Sequence, residues 1–196
     1  TDVSNKNMQN SVFGIDGQMR FWGNSSVSAW YGQVQDSELD TPSSASMIKM
    51  DLRNDRYFFT TGQHRVDKEF QPALGFVQRT DMIGTGVIAG FTPRVGDGDE
   101  LIRQWSFSLY ARDVKNHSGI TETGILQFSI DAFLETRDKI GFKISQNKEK
   151  LGEGFILGNG VEIANGDYKD QKVSLSARSN QSRGLWGDMR FEKGDY

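Results

Sequence analysis

The chain has 196 residues, no Cys, 22 Gly, only 3 Pro, and 23 basic against 26 acidic side chains, for a net charge of -3. A slightly acidic balance offers no general field for phosphate backbones, so nucleic acid is not an expected partner. The lack of Cys removes disulfides, thiolate catalysis and Cys-ligated metals; no apolar run approaches the roughly 18 to 20 residues of a spanning helix, and Thr1 to Asn10 is too polar for a signal peptide.

Along the chain the dominant signal is a period of two. In 11–22, Phe13, Ile15, Met19 and Phe21 alternate with Gly14, Asp16, Gln18 and Arg20; after 26–35, the segment 45–53 sets Ile48, Met50 and Leu52 against Lys49, Asp51 and Arg53. Segments 57–66 and 82–92 lead to 101–112, where Trp105, Phe107 and Leu109 alternate with Gln104, Ser106 and Ser108. Then come 120–134, 139–146 (Ile140, Phe142 and Ile144 against Lys139, Gly141 and Lys143), 172–179 (Val173, Leu175 and Ala177 against Lys172, Ser174 and Arg178) and 184–191. This alternation is that of strands with one oily and one wet face, and nothing reads as a long amphipathic helix. The connections are rich in Gly, Asn, Asp and Ser, which accept tight-turn geometry, so about ten strands in an antiparallel, up-and-down meander are expected.

Connections one, three, seven and nine (23–25, 54–56, 135–138 and 180–183) are expected to be short; two, four and eight (36–44, 67–81 and 147–171) long; five and six are undecided. In a meander these sets lie at opposite ends, a pattern that with the alternation describes a barrel or barrel-like sheet of outer-membrane type. A soluble β-sandwich shows the same alternation and is the alternative fold.

In the second long connection stands Phe70-Gln71-Pro72-Ala73-Leu74-Gly75-Phe76-Val77-Gln78-Arg79. It resembles the Phe-x-Pro-x-x-Gly-Phe-x-x-Arg signature of a bacterial domain of unknown function that commonly follows a family-nine-like carbohydrate-binding module. Asn10, Gly14 and Asp16, the Ile163 to Tyr168 stretch, and Gly184, Gly187, Phe191 and Gly194 follow the same family in collinear order. The resemblance implies an outer-membrane-type barrel of Gram-negative cell envelopes whose activity is not established. The family's module is absent, its barrels continue beyond the position of Tyr196, and no terminal strand ends in Phe; residues 1–196 are therefore expected to be one domain that is a segment of a longer barrel.

Candidate functional residues fall into three groups. Phe70, Pro72, Gly75, Phe76 and Arg79 form a plug or ligand loop, with Arg79 available to a carboxylate or an anionic sugar; the competing role is structural, rings anchoring the loop and Arg79 binding within it. Trp22, Trp30, Tyr31, Trp105 and Trp186 are sugar-stacking candidates, against an interfacial girdle or a core. Asp97, Asp99 and Glu100 offer hard oxygens suited to calcium but lack the spacing of a known loop. No nucleophile elbow, phosphate loop or His-Glu-x-x-His occurs, and His64 and His117 have no companion at metal-ligand spacing, so no catalytic residue, cofactor or resident metal is expected.

The expected function is thus a non-enzymatic barrel domain of the outer membrane or cell envelope, with carbohydrate and lipid as partners and self-association if the barrel is incomplete. A soluble periplasmic or secreted β-sandwich that binds carbohydrate is the alternative. An envelope hydrolase with two carboxylates about 5 to 10 Å apart is the third.

Overall fold

A computed structural model describes the chain except residues 1, 6, 7, 74, 97–100, 159 and 196, and leaves aside the side chains of 2–5 and 8. The calcium candidates Asp97, Asp99 and Glu100 lie outside the described residues. The fold is all-β. Ten long strands follow one another: β2 (Met8–Phe21), β3 (Ser25–Asp36), β4 (Ser43–Arg53), β5 (Tyr57–Val66), β6 (Met82–Phe91), β7 (Ile102–Lys115), β8 (Thr121–Leu134), β9 (Lys139–Leu151), β12 (Gly166–Arg178) and β13 (Asp188–Gly194). Each pairs antiparallel with its neighbour; the short β1 (Asp2–Asn5) adds to β2, and β10 (Phe155–Ile156) with β11 (Glu162–Ile163) makes a small separate hairpin between β9 and β12.

Every segment expected from the period of two contains a strand, although the last, 184–191, is strand only from Asp188. The sheet is nevertheless open: β1 pairs only with β2, β13 only with β12, and the two edges do not meet, so the expected barrel is not closed. The separation of loop lengths is also partial. Connection six is a short turn, 116–120, at the long-loop end, and connection nine spans 179–187 because β13 begins at Asp188. Asn side chains fix several turns: Asn54 accepts from the N–H of Arg56 (2.8 Å) and Tyr57 (2.7 Å), and Asn116 from the N–H of Ile120 (2.9 Å).

Register sorts the side chains onto two faces. Leu52, Phe59, Ala89, Leu109, Phe128, Ile144 and Val173 form one continuous row across the strands, and Tyr57, Phe91, Phe107, Ile130, Phe142, Leu175 and Phe191 the next. Tyr57 stacks on Phe91 at 4.9 Å, and Trp105 on Phe107 at 6.1 Å, an aromatic ribbon near the short-turn end. Nearer the long-loop end the same face turns polar, through Gln63, Thr85, Asp113 and Lys148.

No described element packs over the apolar face. Phe13 is 67% exposed, Ile48 57%, Leu109 41% and Leu175 52%. The buried cluster lies instead on the opposite face: Val34, Ala45, Val66, Phe70, Met82 and Val114, with Val12, Trp30 and Val77 against it. Further from the long-loop end this second face carries Asp16, Arg20, Lys49, Asp51, Arg53, Arg112, Lys139, Lys143 and Arg178.

Two glycines of β6 on the polar face differ in the room beside them. A Cβ at Gly90 would stand 2.1 Å from the Phe58 ring and 2.8 Å from the Phe107 carbonyl oxygen, whereas at Gly86 the nearest atom is 3.9 Å away. Gly90→Ala is expected to lower stability by about 1–3 kcal/mol and Gly86→Ala by less than about 1 kcal/mol. Denaturant midpoints of the two variants check this; equal midpoints would contradict the register.

Candidate functional site

The connection 67–81 folds back over the long-loop end of the polar face, where the topology brings β2 to β8 side by side. Its neck is closed by backbone bonds from Phe70 N–H to Asp67 O (3.3 Å) and from Asp81 N–H to Asp67 O (3.4 Å). Within it the Gly75 N–H donates to Pro72 O at 3.1 Å, and a Cβ at Gly75 would lie 3.0 Å from the proline ring. Phe70 is thereby turned into the cluster of Val34, Ala45, Val66 and Met82.

Three polar anchors hold the loop down. Asn10, buried on β2, donates from Nδ2 to Asp36 (2.7 Å) and to Gln71 O (3.1 Å), while its Oδ1 accepts from Ala73 N–H (3.1 Å). The amide thus meets the loop through one donated and one accepted bond, both to loop backbone. Arg79 at the far end binds the Glu122 carboxylate and the Thr123 hydroxyl (3.3 Å), and Glu122 also accepts from Asn116 Nδ2 at 3.2 Å. The third anchor is His117 in the β7–β8 turn: its Nδ1 lies 2.8 Å from Asp81 and its Nε2 3.3 Å from Asp67.

Asp67 also accepts from the Ser44 hydroxyl (2.7 Å), the Ser44 N–H (3.0 Å) and Arg65 Nε (3.3 Å). Burial pushes this carboxyl up, but the Ser44 bonds and Arg65 together outweigh burial and hold it below its ordinary value. At Asp81 the His117 backbone N–H, then its ring, lower the carboxyl in the same direction.

Between loop and sheet is a cleft of about 640 Å³ lined by Trp30, His64, Phe70, Phe76, Arg79 and Arg112, among others. Trp30 meets His64 edge-on at 5.5 Å. Phe76 is 90% exposed, so the second ring of the loop motif is not a core anchor as the first one is.

Of the sequence candidates, Phe70, Pro72, Phe76, Arg79 and Trp30 meet at this cleft, with Gly75 shaping the loop. The other aromatics are elsewhere. Trp22 sits at positive φ in the β2–β3 turn and is 84% exposed; Trp105 belongs to the aromatic ribbon; Trp186 lies in connection 179–187; Tyr31 is on the apolar face opposite Ile15. Arg79 reaches out of the loop to the Glu122 carboxylate and the Thr123 hydroxyl of β8, and no bond from its side chain to a loop carbonyl is found among the described residues. The sequence alone did not single out Asn10 as an anchor, His117 as a clasp or Glu122 as the partner of Arg79, and it placed Arg112 only among the charges of the polar strand face, because their partners lie far along the chain; the one available pointer was that connections four and six share an end of a meander. Comparison with protein-family models, with curated proteins and with solved structures finds no match.

Two outcomes are expected from the anchors. Asn10→Ala leaves loop backbone groups without their partner, costing about 1–3 kcal/mol, and opens 67–81 to limited proteolysis; a protected loop would contradict the anchoring. Because Asp67 and Asp81 are depressed in the folded state, their contribution is complete above the ordinary carboxylate pKa near 3.8 and is lost as pH falls through the lower folded values. Denaturant midpoints should therefore drop below about pH 4, and Asp67→Asn with Asp81→Asn should flatten that drop.

Proposed function

We propose that the chain forms the wall of an outer-membrane-type β-barrel of the cell envelope, non-enzymatic, with its apolar face on lipid and its polar face on water, and with loop 67–81 folded inward as a glycan-contacting plug. The observation that carries this reading is the uncovered apolar face: contiguous rows of Leu, Ile, Val and Phe cross the sheet with no described element over them, and charges occupy the other side. A soluble protein rarely leaves so continuous an apolar surface in water, whereas lipid-facing strands require it. The aromatic ribbon of Tyr57, Phe91, Phe107 and Trp105, near the short-turn end, suits an interfacial girdle. The resemblance of the Phe70 to Arg79 motif to the barrel family supports the same reading.

Lipid does not tolerate unpaired edge strands, so in a membrane the free edges of β1 and β13 would be paired, by further strands or by a second copy. The soluble sandwich needs a second layer on the apolar face, and no described residue provides one.

Extraction into detergent against plain buffer tests the proposal. The chain should aggregate in buffer and give a discrete β-rich species in micelles, and Leu109→Arg, in the middle of the apolar rows, should cost about 2–4 kcal/mol in lipid. A monodisperse β-rich monomer without detergent would overturn the lipid-facing assignment.

A further inference from the structure

The guanidinium that the loop motif nominates for an anionic ligand, Arg79, is already bound to Glu122 and Thr123. A second guanidinium lines the same cleft without such a partner. Arg112, on the polar face of β7, is exposed, and among the described residues no carboxylate lies within ion-pair distance of it; burial first, and then the Arg112 charge, hold His64 below the ordinary imidazole value.

The wall around it is bare. Arg112 stands in register with Gly86, Gly86 with Gly62, and Gly62 with Lys49, so between the two cations the row consists of backbone alone. Among the described residues Lys49 likewise has no carboxylate at ion-pair distance. On the same face of β4 to β9, Asp131 is neutralised by Lys139 at 3.0 Å, Asp51 accepts from the Thr60 hydroxyl at 3.2 Å and Glu149 from the Thr123 hydroxyl at 3.2 Å, while Arg53 and Lys143 have no carboxylate at ion-pair distance among the described residues. The charged side chains that line the cleft itself are Arg79 and Arg112, with no carboxylate among the described lining residues; cationic walls concentrate anions, and a guanidinium without an ion-pair partner offers two parallel N–H donors that match a carboxylate or phosphate. Trp30 and the exposed Phe76 add ring-sized apolar surfaces to the cleft.

We propose that this cleft takes a saccharide carrying a negative charge, a carboxylate or a phosphate, with Arg112 receiving the anion and Trp30 and Phe76 meeting the sugar rings. The proposal rests on the glycan part of the function above and names the class of glycan. It does not depend on closure of the sheet.

Calorimetric titration of the full chain in neutral detergent micelles tests it with three probes: tetragalacturonate, glucose 6-phosphate and the uncharged maltotetraose. At least one anionic probe should bind at least about 10-fold more tightly than maltotetraose and weaken as salt is raised from about 50 to 500 mM. Arg112→Gln should remove at least about 10-fold of that affinity, with Arg112→Lys recovering part of it and Lys49→Gln having a smaller effect. Circular dichroism checks that the variants keep the parent's β-content; if Arg112→Gln did not fold, the anion preference and salt dependence of the parent would decide alone. Equal binding of charged and neutral probes, or an Arg112→Gln variant that binds like the parent, would overturn the inference while leaving a glycan cleft standing. Binding of none of the three would overturn the inference and the glycan role together, whereas the detergent experiment reads the membrane assignment independently.

Discussion

The register of the antiparallel ladder is the constraint on which the other features of this molecule depend. Since side chains alternate across a strand, a slip of one residue at any pairing would carry Leu109, Phe128 and Ile144 to the charged side and Arg112 and Lys143 to the oily side. The pairing of β4 to β9 is continuous across Leu52, Phe59, Ala89, Leu109, Phe128 and Ile144, so each neighbour fixes the next. One irregular pairing falls at each end of the β7–β8 ladder, between Ile102 and Gln104 and between Val114 and Lys115, outside the apolar rows.

That constraint produces an unusual distribution of burial. The larger apolar surface is exposed, and the compact cluster of Val34, Ala45, Val66, Phe70, Met82 and Val114 sits on the face that is elsewhere polar. The cluster exists because one ring of the loop, Phe70, is delivered onto small side chains. At Gly32 a Cβ would already be 3.8 Å from the Phe70 ring, ordinary contact with no spare depth, so a larger residue there would displace the loop. Loop and sheet then enclose a cleft whose walls are part aromatic and part cationic, which couples the packing of the plug to the chemistry of the site.

The anchors of the loop are polar and partly shielded from water, so they specify position as well as adding stability. Asn10 reads loop backbone rather than loop side chains and is itself held by Asp36, so the loop path is set by β2 and β3. His117 between Asp67 and Asp81 ties the same loop to the β7–β8 turn. With both ends and the middle held, Phe76 can stand exposed over the cleft without support from a core of its own.

The strands, their order, the face each side chain occupies and the loop that carries ligand candidates were determined by the sequence itself, because a period of two is a local property of a half-apolar sheet. The same reasoning shows where that legibility ended. β9 and β12 continue to Leu151 and Gly166, and Lys150 meets Asp167 at 3.7 Å, but beyond the apolar rows both faces are polar and the alternation disappears while the hydrogen-bonded ladder goes on. The tertiary structure decided that the sheet stays open, that Arg79 clamps Glu122 while Arg112 has no ion-pair partner among the described residues, and that only Trp30 among the candidate stacking aromatics reaches the loop. The path of the loop that carries Phe70 and Arg79 depends on contacts between residues such as Asn10 and Ala73, 63 positions apart, which no local pattern encodes.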